Sequence, residues 1–428
     1  MKLLINLFVF FLAFWFPMPE KEKNVPFKKV EIREEKGNFR LYLKGAPYYI
    51  KGAGGYTYYD KLKACGGNSV RLWSTNDAKR YMNLADSLGL TVTLGLDMGL
   101  ERHGFDYNDR QAVAQQFERL KKEILAYKDH PALLMWGVGN ELDQFAKNYK
   151  VWDAVHDVIE FIHQVDPHHP TTTMLAGVPS DHIRAIIKKA PNLDVLSINA
   201  FTDLPYVRNK ITDAGWKGPY LIGEWGASGY WETPQTPWGT FIEETSSEKE
   251  KACRNRYKNA IAANADRCIG SYVFYWGYKQ ARTHTLLSLY LESGEKISVI
   301  DMLQKEWSGK EPANKAPQIE PLGIDDQLVH KGIYLKPSSH HWAYTAASDP
   351  ENDKLTFKWE IYYESKEKKE GGDTEDKPAA LGGLIVENAG PRLSFKAPDK
   401  EGAYRLFVSV FDGKGNAATA NAPFYVKN

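Results

Sequence analysis

The amino-acid sequence predicts an α/β fold, a (β/α)8 TIM barrel, followed by a smaller all-β immunoglobulin-like sandwich. Three observations point there. Between Pro47 and Trp307, short apolar runs take turns with amphipathic stretches of helical spacing. The runs are apolar throughout, as strands buried on both faces of a parallel sheet are. After Trp307 the helical pattern stops at a Pro-, Lys- and Ala-containing linker, "SGKEPANKAPQIEP", and the segments beyond it alternate apolar and polar residues.

The elements follow in order. "KVEIREEKGNFRLYLKGAP" reads as a hairpin turning at "KGN", suited to cover the barrel floor. "YYIKGAGG" is the first barrel strand and "TYYDKLKACGG" its helix. "NSVRLWS" precedes "DAKRYMNLADSLGL", and "TVTLGLDMG" precedes "DRQAVAQQFERLKKEILAYKDH". "ALLMWGVGNE" precedes "YKVWDAVHDVIEFIHQVD", and "PTTTML" precedes "SDHIRAIIKKA". "DVLSINAF" precedes "YVRNKITDAG", "PYLIGEWG" precedes "SSEKEKACRNRYKNAIAANAD", and "GSYVFYWGY" precedes "EKISVIDMLQKEW". Eight such units over about 260 residues fit a closed barrel better than an open doubly wound sheet. No Gly-x-Gly-x-x-Gly follows the first strand in the context that dinucleotide binding needs.

In the tail, "KLTFKWEIYYE" places Leu355, Phe357, Trp359, Ile361 and Tyr363 at period two, the mark of a half-buried strand. "RLSFKAP", "GAYRLFVSVFDGKGN" and "ATANAPFYV" add further strands, so residues 317–428 form a sandwich. The barrel domain spans 28–312. "SKEKKEGGDTEDKPAALGG" reads as a mobile loop, and the sandwich itself as a spacer or protein-contact module. "DPEND" offers oxygens that Ca²⁺ uses, but Asp, Asn and Pro are turn formers and a turn is the reading taken.

Bulk properties exclude some classes of function. The net charge is +1, from 55 basic and 54 acidic side chains, so there is no electrostatic footprint for nucleic acid. Three cysteines, Cys65, Cys253 and Cys268, lack Cys-x-x-Cys spacing and read as buried structural thiols. No metal and no cofactor is expected. "MKLLINLFVFFLAFWF" has the length of a signal-peptide apolar core, placing residues 1–20 as a signal peptide or N-terminal anchor. The expected location is secreted, periplasmic or at the cell surface, with attachment through that segment or the sandwich.

In a (β/α)8 barrel, chemistry sits at the C-terminal strand ends. Here those ends carry Arg71 and Trp73 (strand two), Asp97 with His103 in its loop (strand three), Asn140 and Glu141 (strand four), Asn199 (strand six), Glu224 and Trp225 (strand seven), and Trp276 (strand eight). Two glutamates across a barrel mouth can flank one glycosidic bond. One holds a proton for the leaving oxygen while the other attacks or activates water. Asn140 is suited to bond a sugar hydroxyl, and Arg71 to hold Glu224 ionised. The expected substrate-binding set is therefore Arg71, Trp73, His103, Asn140, Asn199, Trp225 and Trp276. Tyr230, Trp231 and Trp238, in the loop after strand seven, offer faces on which sugars stack.

"WGVGNE", "IGEWG" and "GGNSVRLW" resemble the signatures of the retaining β-glycosidase clan that includes glycoside hydrolase families 2 and 5. "FRLYLKGAPYYIKGAGG" resembles the strand pair that opens many of its members. The resemblance covers about residues 38 to 310, the greater part of the barrel. It implies that Glu141 is the general acid/base, that Glu224 is the nucleophile, and that configuration is retained. Many members carry a Tyr at the end of strand six that contacts the nucleophile. Here "INAFTD" has Phe201, so that contact is either absent or supplied by another residue, such as Tyr278. "ASDPENDKLTFKWEI" and "VFDGKGN" resemble cadherin- or PKD-like sandwiches. The expected activity is hydrolysis of a β-linked oligo- or polysaccharide, glucan- or mannan-like. A transglycosylase using the same glutamates and a catalytically silent glycan-binding protein are the alternatives.

Overall fold

The computed structural model describes residues 29–329, 332–366, 369 and 372–428. The segment read as a signal peptide or anchor lies outside the described residues, as does residue 28. Among the described residues, no helix is long and apolar enough to cross a membrane.

Three antiparallel strands, β1 (Val30–Glu35), β2 (Asn38–Leu43) and β3 (Ala46–Tyr48), come first. Lys36 and Gly37 turn β1 into β2 with φ of 54° and 81°, the pair of left-handed residues that a tight two-residue hairpin needs. Val30 and Leu41 pack with Ile50, Leu134, Val195, Leu221 and Ile269 at the bottom of the barrel. The hairpin is a floor, as its position before the first barrel strand suggested.

Eight parallel strands then close on themselves: β4 (Ile50–Gly54), β5 (Ser69–Leu72), β6 (Thr91–Leu96), β7 (Leu133–Asn140), β8 (Thr171–Ala176), β9 (Val195–Asn199), β10 (Tyr220–Trp225) and β11 (Cys268–Val273). β11 pairs with β4 to complete the ring. The helices are α1 (Tyr59–Ala64), α2 (Ala78–Ser87), α3 (Arg110–Tyr127), α4 (Val151–Val165), α5 (Ser180–Lys189), α6 (Val207–Asp213), α7 (Ser246–Arg256) and α8 (Ser298–Ser308). Each buries one stripe against the strands. In α4, Val151, Val155, Val158, Ile159 and Ile162 recur every three or four residues, and all are buried. Asp109 starts α3 by accepting from the N–H groups of Gln111 and Ala112, and Thr245 with Glu248 forms a reciprocal cap on α7.

The barrel interior is filled. Tyr272 projects inward from β11, and its hydroxyl meets Ser69 Oγ at 2.8 Å and Thr93 Oγ1 at 2.6 Å. Gly52 makes room for that ring, since a Cβ there would stand 2.3 Å from Tyr272 Cδ1. The three cysteines are free and buried, and burial pushes each thiol up to about 12, leaving them unreactive at neutral pH.

The C-terminal part holds a short pair, β12 (Gln318–Ile319) with β17 (Ala347–Ser348), a five-stranded sheet of β13 (Gly323–Ile324), β14 (Gln327–Leu328), β16 (His340–Tyr344), β19 (Ile385–Ala389) and β20 (Arg392–Lys396), and a four-stranded sheet, around one apolar core. The four-stranded sheet contains β15 (Ile333–Leu335), β22 (Ala417–Val426), β21 (Gly402–Phe411) and β18 (Thr356–Tyr363), in that order. Trp359 and Ile361 of β18 face the core as the period-two reading expected. β21 and β22, however, are buried on both faces, because the outer face of this sheet docks on the barrel. Arg405 donates to the Phe241 carbonyl at 2.9 Å and to Asn421 Oδ1 at 2.6 Å, and it pairs with Glu364. The Thr419 N–H reaches Ser246 Oγ at 3.0 Å. In "DPEND", Asp349 Oδ1 accepts from the N–H groups of Glu351 and Asp353, as a turn former does. Asp349, Asp353 and Asp412 each bring one carboxylate oxygen within 4.8 Å of the others.

Candidate active site

Alternation along each strand decides which side chains reach the barrel mouth. Arg71 and Trp73 stand two residues apart at the end of β5 and share a side. Both converge on Glu224, which leaves the end of β10. Arg71 Nη1 donates to Glu224 Oε1 at 3.0 Å, and Trp73 Nε1 donates to the same oxygen at 2.8 Å. Arg71 Nη2 donates to Asn140 Oδ1 at 2.5 Å. Asn199, at the end of β9, links the two carboxylates. Its Oδ1 accepts from Arg71 Nη1 at 3.3 Å, and its Nδ2 donates to Glu141 Oε1 at 2.9 Å. Gly223 permits this packing, because a Cβ there would lie 2.6 Å from Asn199 Oδ1.

Glu141 is held in the left-handed region at φ 51°, a conformation that costs a residue other than glycine about 1 kcal/mol. Its N–H bonds the Met174 carbonyl at 2.8 Å, which pins the carboxyl at the strand end. Burial and then the negative charge of Glu224 push the Glu141 carboxyl up to about 7, against the opposing pull of the Asn199 N–H. Asp143 behaves alike. Burial raises it to about 7, although the Ala176 N–H bonds its carboxylate. Arg71 is fully buried, and burial lowers its pKa while Glu224 and Glu141 raise it.

Glu141 and Glu224 open into one cavity of about 1050 Å³. Trp73, Asn140 and Asn199 line it, as expected, with Arg71 buried beneath. Three expected contacts are not there. Trp225 is fully buried and stacks on Tyr257, because the residue after Glu224 must point to the opposite side of the strand. Trp276 is buried between Tyr290 and Trp307 and donates to the Tyr58 carbonyl. β11 ends at Val273, so Phe274 and Tyr275 line the cleft instead. His103 is at the rim, 3.1 Å from Asp373, and does not line the cavity. Asp97 is exposed and its carbonyl accepts from Arg119. Phe201 lines the cleft, but the extra contact to Glu224 comes from Trp73, not Tyr278.

Other cleft residues escaped the sequence reading. Asp143 follows Glu141 by two residues and had no motif to mark it. Of the aromatic residues that the sequence did mark in the loop after β10, Tyr230 and Trp231 line the cavity, Trp231 being 55% exposed, whereas Trp238 packs against Tyr334 and Tyr425 of the sandwich. Gly372, Asp373, Thr374 and Glu375 also line the cleft. They belong to the stretch expected to be a mobile loop, in a domain expected to act as a spacer. Glu375 is instead buried against Arg282 at 2.7 Å, and the Leu381 N–H bonds the Ile361 carbonyl at 2.8 Å.

A (β/α)8 barrel with two carboxyls at its strand ends is the arrangement that many glycoside hydrolases use. Residues 59–228 match the family "Glycosyl hydrolases family 2, TIM barrel domain". Among relatives, a β-galactosidase of Leuconostoc mesenteroides is 25% identical over 171 residues, covering 35% of this chain and 15% of that protein. A β-glucuronidase of Paenibacillus borealis is 23% identical over 285 residues, covering 57% of this chain and 45% of that one. The chain thus spans less than half the length of these relatives. Among solved structures, the β-D-glucuronidase of Dictyoglomus thermophilum superposes with a TM-score of 0.51 at 19% identity, over 66% of this chain and 54% of that one. A β-glucuronidase of Ruminococcus gnavus gives 0.52 at 12% identity, over 67% and 53%. These likenesses are of fold.

Proposed function

We propose that the protein is a retaining β-glycosidase. One observation carries the reading: the two strand-end carboxyls sit in opposite environments within one cleft. Glu224 lies against a guanidinium and an indole N–H. Glu141 has its proton affinity raised to near neutrality. Two carboxyls whose surroundings differ in this way divide the work of nucleophile and acid.

In this scheme Glu224 attacks the anomeric carbon while Glu141 passes its proton to the leaving oxygen. Water then enters, Glu141 removes its proton, and the glycosyl–Glu224 ester is cleaved with net retention. Asn140 uses its Oδ1 to accept from Arg71, leaving its NH2 for the sugar hydroxyl next to the reacting carbon. The relatives are named for β-galactosides and β-glucuronides, while the sequence reading expected a glucan- or mannan-like glycan. All four belong in the test. Aryl β-galactoside, β-glucuronide, β-glucoside and β-mannoside are offered to the full chain, and NMR identifies the first-formed anomer. Release of the β-anomer from one of them supports the proposal. No release, or inversion, removes it. Transfer to an added oligosaccharide in preference to water would favour the transglycosylase. We also place the protein outside the cytoplasm, on the apolar N-terminal run alone, which cell fractionation tests.

A further inference from the structure

The cleft is not built by the barrel alone. Residues 372–375 of the C-terminal domain line the same cavity as Glu141 and Glu224. The barrel holds them at three points. Glu375 accepts from the Arg282 backbone N–H at 2.5 Å and from Arg282 Nη1 at 2.7 Å, with both side chains buried. Lys279 Nζ donates to the Gly372 carbonyl at 2.9 Å. His103 Nε2 meets Asp373 Oδ2 at 3.1 Å. These anchors come from the loops after β6 and β11, so the segment sits at a fixed place on the rim.

Two polar residues of the segment line the cavity beside those anchors. The Thr374 hydroxyl is exposed and has no protein partner among the described residues. Asp373 keeps 36% of its side chain exposed, and its second oxygen is 3.9 Å from Arg102. The cavity, about 1050 Å³, is at the upper end of the range for a drug-sized ligand, so it has room for more than one sugar ring. Two aromatic faces on its wall, Trp231 and Phe145, are 55% and 66% exposed. An anchored polar strip and exposed aromatic rings in one cavity are the composition of a sugar subsite, with hydrogen bonds for hydroxyls and flat faces for the ring.

We propose that the C-terminal domain supplies a sugar subsite of the active cleft. In it Asp373 and Thr374 hydrogen-bond hydroxyls of a sugar ring beyond the one held between the two glutamates. The proposal rests on reading the barrel mouth as a β-glycosidase cleft. It makes these two residues determinants of selectivity for oligosaccharides over aryl monosaccharides.

The test compares the full chain with the Asp373→Ala/Thr374→Ala variant. Substrates are the aryl monoglycoside and the tetrasaccharides of β-linked glucose, mannose and galactose, with tryptophan fluorescence reporting binding. The expected result is a KM and a Kd for the preferred tetrasaccharide raised about tenfold, the scale of one or two lost hydrogen bonds. The kcat and the aryl-glycoside kinetics stay unchanged. Asp373→Asn, which keeps an acceptor, restores part of the loss. Thermal unfolding at the wild-type temperature shows that the fold is kept, and Thr374→Ala alone serves if it is not. Aryl-glycoside turnover with equal tetrasaccharide constants in both proteins, or with no tetrasaccharide binding, overturns the subsite alone. A wild-type chain that neither binds nor cleaves any of these sugars overturns the glycosidase reading, and the subsite with it.

Discussion

Arg71 Nη1 stands 3.0 Å from Glu224 Oε1, and the same nitrogen reaches the Gly223 carbonyl at 2.8 Å and Asn199 Oδ1 at 3.3 Å. One guanidinium thus locks the position of the carboxylate and of the strand that carries it. Charge alone does not reproduce this fork. Arg71→Lys is expected to leave the fold intact and lower kcat by about 100-fold, as loss of one preorganised donor does. Arg71→Met strands a buried carboxylate, and urea unfolding should show a loss of roughly 3–5 kcal/mol.

On the proposed mechanism, with Glu224 as nucleophile and Glu141 as acid, the two glutamates should fail differently. Glu224→Ala removes the nucleophile, so turnover of every substrate falls by orders of magnitude, and azide restores part of it by attacking in its place. Glu141→Ala removes the acid. The loss in kcat/KM, which reports the first step, should be slight for a dinitrophenyl glycoside, whose leaving group needs no proton, and about 100- to 10,000-fold for an oligosaccharide, while kcat falls for both because water has lost its base. Equal losses in kcat/KM on both substrates in the Glu141 variant would contradict the assignment.

Because the Glu141 carboxyl is raised to about 7, it carries its proton below that pH and loses it above. The rate constant kcat/KM should therefore fall on the alkaline side with a midpoint near 7. Asn199 donates to the ionised form of Glu141, so Asn199→Ala should move that midpoint upward. Asp143 and Glu141 repel when both are ionised, so Asp143→Asn should move it downward. A pH–rate profile of the three proteins is sufficient.

Acid stability has its own residue. Burial alone would raise Glu243, but Lys249 at 2.6 Å, Arg405 and the Thr283 hydroxyl outweigh it and hold the carboxyl at about 2. A depressed carboxylate stabilises the fold above its unfolded value and loses that contribution as pH falls through the folded one. The window is pH 4.5 down to 2, and the amount about 3 kcal/mol. Glu243→Gln should flatten the decline in melting temperature across that window.

Much of the barrel was legible because its strands are apolar throughout and each is followed by a helix of clear period. The pair Glu141 and Glu224 was legible because each ends such a strand. Parity was the neglected signal. Glu224 and Trp225 are consecutive, so only one of them can face the mouth, whereas Arg71 and Trp73 can do so together. The aromatic run "YVFYWGY" concealed the end of β11, since every residue in it suits a strand. The contribution of residues 372–375 was illegible for a different reason. A Gly-, Lys- and Glu-rich stretch has no periodicity, and what orders it is a buried partner, Arg282, over 90 positions away in the chain.

The double burial of β21 and β22 has a consequence for anyone who would recombine this molecule. Polar Thr419, Asn421 and Arg405 face Ser246, Thr285 and Phe241, so the tail and barrel are cut to each other's shape. A chimera that keeps the barrel and takes a foreign tail inherits a bare shelf of unmatched donors and aromatic rings beside the cleft. Such a fusion must exchange the contacting barrel loops along with the tail.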